Sequence, residues 1–151
     1  MTGVARFEDL EAWKKARELT KAIYQITSTG GFARDFCLRD QVRRASVSIM
    51  SNIAEGFGRK RDKEFQYFLS LAKGSTGDVK AQIYVALDAG LISEARFAQL
   101  YELATETGRL IGGLIKYLSK SKVQSRESKV QNKKSENYLS GIQDSELATR
   151  D

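Results

Sequence analysis

Arg59, Lys60, Arg61 and Lys63 fall within five consecutive positions, directly after a Gly-Phe-Gly break and directly before a long apolar-patterned segment. A helix starting there would present free backbone N–H groups beside several cations, the arrangement with which proteins hold phosphates. Arg43 and Arg44 lie on the preceding helix, and all six cations are expected around one end of the hairpin that the two helices form. The competing reading is a solvated turn, because cations at a helix N-terminus oppose its dipole. Asp62 and Glu64 soften that conflict as cap and first-turn acid. Arg43 borders an apolar stripe, so an interface position beside an acid is the alternative for it.

Little else in the chain suits chemistry. Histidine is absent and Cys37 is the only cysteine. That removes an imidazole base, a Ser-His or Cys-His nucleophile, a cysteine zinc cluster and an intrachain disulfide. Cys37 is expected as a small, buried or half-buried hydrophobe. Asn52 and Glu55 could form a polar pair, but one amide and one carboxylate lack the second carboxylate or nucleophile that acid–base work needs. Their structural roles would be a hydrogen bond within or across helices for Asn52 and a cation partner for Glu55. Gly74-Ser75-Thr76 invites a phosphate-loop reading, yet the rest of that motif is missing and no strand precedes it. Close approach of helices through Gly74 and Gly77 is the better account. Trp13 and Tyr24 could stack on bases, although aromatics at helical spacing usually pack. The chain is therefore read as non-enzymatic, with no cofactor and no metal.

The balance of 25 Lys+Arg against 19 Asp+Glu gives a net charge of +6, which favours an acidic partner such as nucleic acid. No apolar run approaches the roughly 18 residues of a membrane span and no leader pattern precedes Arg6–Glu8, so a cytoplasmic location is expected.

The elements that must position the cations are helices. Proline is absent, so only glycines and polar clusters interrupt the apolar periodicity. Helix is expected from Phe7 to Thr27, with Ala12, Ala16, Leu19, Ile23 and Ile26 as core seam, Leu10, Trp13 and Tyr24 as flank, and Glu11, Lys14, Glu18, Lys21 and Gln25 in solvent. Gly30-Gly31 stops it, and Phe32–Cys37 reads as a short connection with Asp35 as a cap. The second helix ends near Glu55–Gly58. Leu38, Val42, Ala45, Ile49 and Ile53 form one of its stripes, and Val47, Met50, Ala54 and Phe57 form another. Two stripes imply burial on two sides, one within the chain and one against another copy. The third helix should span Asp62 to Ala89, with Phe65, Phe68, Leu69, Ala72, Val79, Ile83, Ala86 and Leu87 buried. Gly90 ends it, Ser93 caps the fourth, and Gly108 and Gly112-Gly113 let a neighbour approach. Such short loops predict an all-α, antiparallel up-down four-helix bundle over residues 1–118. Residues 119–134 hold six Lys/Arg against one Glu, net +5, and 135–151 hold one Arg against four acids, net −3. Apolar residues are sparse there, so 119–151 is expected as a disordered, basic-then-acidic tail that either adds phosphate contacts or is merely solvated.

The string QVRRASVSIMSNIAEGFGR at Gln41–Arg59 resembles the signature of four-helix-bundle proteins encoded in 23S rRNA intervening sequences. The likeness extends through FEDLEAWKKARELTKAIYQIT upstream and EFQYFLSLAKGS downstream, and so covers most of Phe7–Leu118. Met50 stands where the family usually has Pro, Arg39 lies near a usual Thr, and Phe32-Ala33 replaces a Phe-Pro pair. The resemblance implies a helical bundle in rings of five, with nucleic-acid-associated biology and no known reaction. Accessory proteins of diversity-generating retroelements are similar bundles, which adds a reverse transcriptase as an implied protein partner beside RNA or DNA.

Overall fold

The computed structural model describes residues 3–147, and their side chains except at 122, 123 and 141–147. No strand occurs among the described residues. A 3-10 turn at Phe7–Asp9 precedes α1 (Glu11–Ile26), α2 (Gly30–Arg34), α3 (Phe36–Gly58), α4 (Asp62–Asp88) and α5 (Glu94–Leu147). Two units divide the chain, the first being Met1–Lys116 and the second beginning at Tyr117.

Within the first unit, α1, α3, α4 and the opening part of α5 form the all-α bundle. Thr20 donates to the Ser46 carbonyl and Arg43 to Thr27, so residue numbers rise along α1 as they fall along α3. Ser48 meets Ser75 and Phe57 meets Phe65, which sets α3 against α4 the same way. Tyr84 packs on Phe97, while a Cβ on Gly108 would lie 3.3 Å from Thr76 Oγ1, so α4 and α5 also run antiparallel.

The helix seams lie where apolar periodicity puts them. Ala12, Ala16, Leu19 and Ile23 of α1 are buried, as are Leu38, Val42, Ala45, Ile49 and Ile53 of α3. Phe65, Leu69, Ala72, Val79, Ile83 and Ala86 of α4 face them, with Leu100, Ala104 and Ile111 of α5. A fully buried Leu or Ile contributes about 1.5–3 kcal/mol relative to an exposed one. The buried hydroxyls Thr27, Ser46, Thr76 and Thr107 each donate to a carbonyl of their own helix, so none costs an unmade hydrogen bond.

Caps explain the helix ends. The Asp35 carboxylate accepts from Leu38 N at 3.1 Å, and Ser93 Oγ accepts from Arg96 N at 3.2 Å. After α4, Gly90 takes a φ of 71° and donates to the Leu87 carbonyl, while Leu91 N reaches Ala86 O. This pair of hydrogen bonds closes the helix with the one residue type that enters a left-handed conformation freely.

Several expectations are corrected. Helix does not begin at Phe7: Leu10 is extended, which drops its side chain into the core and sets Phe7 edge-on to Trp13 at 5.1 Å. Leu10 therefore leaves the outer flank. Phe32–Cys37 is no plain connection either, because Phe32 is buried and anchors the one-turn α2. Cys37 is exposed, since the first turn of α3 buries Leu38 beside it instead. A Cβ on Gly74, Gly77 or Gly113 would meet nothing within 4 Å, so these glycines do not serve helix contact. Gly56 does: there a Cβ would fall 2.7 Å from Phe68 Cβ and 2.9 Å from Phe65 Cδ2.

The stretch from Ser119 to Leu147, expected without fixed structure, is helix as part of α5. Residues 124–140 are nonetheless exposed throughout, in keeping with their lack of a core-forming pattern. Lys, Gln, Glu and Arg are good helix formers and no proline interrupts them, which is what such a helix rests on. Residues 148–151 of the expected tail lie outside the described residues.

Candidate nucleic-acid interface

The α3–α4 turn is only three residues long, and its tightness follows from Gly56. Without a side chain there, Phe65 and Phe68 close directly onto α3. Arg59 ends α3, Lys60 turns the chain with a φ of 57°, and Arg61 is extended at the mouth of α4. Arg59, Lys60, Arg61 and Lys63 are all exposed. Arg59 is held by Glu55, with Nε 3.0 Å from Oε1, and its guanidinium lies 5.2 Å over the Phe68 ring. Among the described residues no ion pair engages Lys60, Arg61 or Lys63.

Asp62 is the first residue of α4 and does not cap it. The capping position is Arg61, which supplies no side-chain acceptor, so the first N–H groups of α4 have no side-chain partner there. Asp62 and Glu64 act as first-turn acids only. The turn thus combines uncapped backbone donors with cations, tempered by two carboxylates.

Arg43 and Arg44 are not part of this cluster. Fifteen or sixteen helical residues separate them from Arg59, about 22–24 Å at 1.5 Å per residue. The six cations therefore do not surround one end of the hairpin. Arg43 instead clamps the end of α1: Nε donates to Thr27 Oγ1 at 2.8 Å, a second nitrogen donates to Ser28 Oγ at 3.2 Å, and the guanidinium lies 4.5 Å over Tyr24. Its partners are hydroxyls and a ring rather than an acid, and a cation beside a helix C-terminus is favourably placed. Arg44 is exposed.

Asn52 and Glu55 have the structural partners expected of them. Asn52 Nδ2 donates to the Ser48 carbonyl and hydroxyl, and Glu55 accepts from Arg59. Arg109 on α5 hydrogen-bonds Glu106 and thereby holds that carboxyl below the usual carboxylate range. Among the described residues no group of three or more His, Cys, Asp or Glu is disposed to hold a metal ion, and no helix is long and apolar enough to cross a membrane.

One surface escaped the sequence reading. Tyr67, Leu71, Gly74, Asp78, Ala81 and Val85 repeat at alternating four- and three-residue steps along α4, and all are exposed. Tyr67 is 61% exposed, Leu71 41% and Val85 53%. The heptad spacing itself was the available signal, hidden by the stronger buried stripe on the opposite side.

A model of the 23S rRNA-intervening sequence protein family matches residues 8–113. The chain belongs to this family. The matched region takes in α1 to α4, the cationic turn and the part of α5 up to Gly113, so it is the bundle that carries family membership. No curated protein matches the sequence. A crystal structure of a protein of unknown function from the S23 ribosomal protein family, from Bacteroides thetaiotaomicron, is similar with a TM-score of 0.64 at 19% identity. The alignment covers 70% of this chain and 98% of that chain. At this identity the likeness concerns the helical fold.

Proposed function

We propose that this family member is a non-enzymatic, oligomeric helix bundle that binds RNA or DNA through backbone phosphates at the α3–α4 turn. The observation that carries the reading is the juxtaposition of Lys60, Arg61 and Lys63, none in an ion pair among the described residues, with the uncapped start of α4. Phosphate is the ligand that uses both charges and N–H donors. Lys60 adds weight, because a strained non-glycine residue at a surface turn points to a function for its side chain. Net charge of +6 acts in the same direction at longer range.

Changing Arg59, Lys60 and Arg61 together to Ala should weaken binding in a gel-shift titration and flatten its salt dependence by about 2 in log–log slope. Subunit number should stay the same. Binding that survives those three changes intact moves the phosphate site elsewhere. A scaffold for a polypeptide partner, such as the reverse transcriptase implied by the resemblance, would show no log-linear loss with salt of that size. Assembly into an oligomer is supported by exposed apolar side chains on two helices, Val47 on α3 and Tyr67, Leu71 and Val85 on α4. The number five comes from the family resemblance.

A further inference from the structure

Between α4 and α5 runs an open groove of about 770 Å³, lined by Lys73 and Lys80 on one wall and by Arg109 and Lys116 on the other. No Asp or Glu lines it among the described residues. Glu106 pairs with Arg109 from outside the lining. The floor is stripped by Gly77, Gly108, Gly112 and Gly113. Gly108 is explained by Thr76, but a Cβ on Gly77 or Gly113 would touch nothing. Each mid-helix glycine costs about 1 kcal/mol against Ala, and no side-chain contact among the described residues repays that cost. What these two glycines leave is backbone open to close approach by another molecule.

An aromatic cluster sits where Lys80 is. Its ammonium lies 5.0 Å over Tyr101, whose ring contacts Tyr84 at 5.8 Å, and Tyr84 packs on Phe97 at 4.7 Å while remaining exposed. A recessed cationic track beside an exposed aromatic face is how proteins hold single strands, with phosphates on the cations and a base stacked on the ring. A duplex suits it less, because its bases are paired away from Tyr84 and its phosphates project from a convex surface. Lys73 and Lys80 stand seven residues apart on α4, about 10 Å. That length fits two or three nucleotides at about 3.4 Å per step.

We infer that the α4–α5 groove seats a short single-stranded stretch of nucleic acid, with Lys73, Lys80 and Lys116 on the phosphates and Tyr84 beneath a base. This rests on the nucleic-acid reading above and adds to it the strandedness of the ligand and a second site.

The test uses the full chain and a labelled single-stranded RNA of about 12 nucleotides, alongside the same sequence as a duplex. Lys73→Ala with Lys116→Ala should weaken single-strand binding about tenfold and lower its salt slope by about 1.4. Gly77→Leu with Gly113→Leu should fill the groove and weaken it at least as much. Helicity should hold or rise there, since leucine is the better helix former. Both variants should retain duplex binding, and the Arg59/Lys60/Arg61 alanine variant should weaken it. Single-strand affinity within about twofold of wild type in both groove variants would overturn the groove while leaving the turn reading intact. A wild-type chain that binds neither form would overturn both.

Discussion

Lys60 joins α3 to α4 with a φ of 57°, a left-handed conformation that a residue carrying a Cβ enters at a cost of about 1–2 kcal/mol. Glycine would adopt it without that cost. Lys60→Gly should therefore raise stability by about 1 kcal/mol in urea titration, while removing one cation from the turn. An unchanged midpoint would remove the strain argument for a functional lysine. Gly56 shows the opposite case, a glycine on which packing depends. Gly56→Ala would put a methyl group 2.7 Å from Phe68 Cβ, and α3 and α4 would have to part. A loss of about 1–3 kcal/mol is expected by the same measurement. Stability equal to wild type would mean that the two phenylalanines can shift at no cost. At this scale the sequence was legible where a residue type has one common use, as with the capping carboxylate of Asp35. It was not where neighbours decide. Nothing in the chain's order reveals that Gly56 is crowded and Gly74 is not, because that depends on which side of each helix meets its partner.

The helices themselves were readable from 3.6-residue periodicity, because apolar burial dominates their placement. The exceptions are short elements that tertiary contacts override. Leu10 breaks the expected first helix to reach the core, and Phe32 winds one turn of α2 to do the same. The long α5 adds a third case, since its exposed portion carries no periodic apolar face and reads as unstructured. Helix there depends on propensity alone, and isolated helices of that kind are marginal in water. A chain ending at residue 123 should keep its thermal midpoint within about 2 °C, because residues 124–140 are exposed. Its far-ultraviolet circular dichroism should lose signal on heating in one cooperative step, whereas the full chain should show an additional gradual loss at lower temperature. A midpoint that falls by several degrees on truncation would show that the removed residues support the bundle.

At the level of the whole molecule, a surface for self-association is the least legible property, because a buried stripe and an interface stripe carry the same residues. The second stripe of α3 illustrates this: Val47 is 40% exposed, but Met50, Ala54 and Phe57 are already half-buried within the chain. The flank expected on α1 has lost Leu10 to the core, while Tyr24 stays 43% exposed with Arg43 over its ring. Tyr67, Leu71, Ala81 and Val85 on α4 form the larger apolar surface, in a row that also holds Gly74 and the charged Asp78, and its heptad repeat matches the seam by which one helix packs along another. A second copy of this chain supplies such helices, so we expect this row to lie in the contact between subunits. Leu71→Glu with Val85→Glu would place two carboxylates on each copy of the seam and oppose association. Both side chains are exposed in the single chain, so helicity and folding of the subunit should be preserved. Light scattering of wild type at micromolar concentration should give a multiple of 16.9 kDa, and the double variant a lower mass. A wild-type mass of 16.9 kDa would end the oligomer proposal outright. An undiminished mass in the variant would move the interface back to α3, where Val47→Glu is the next substitution to make.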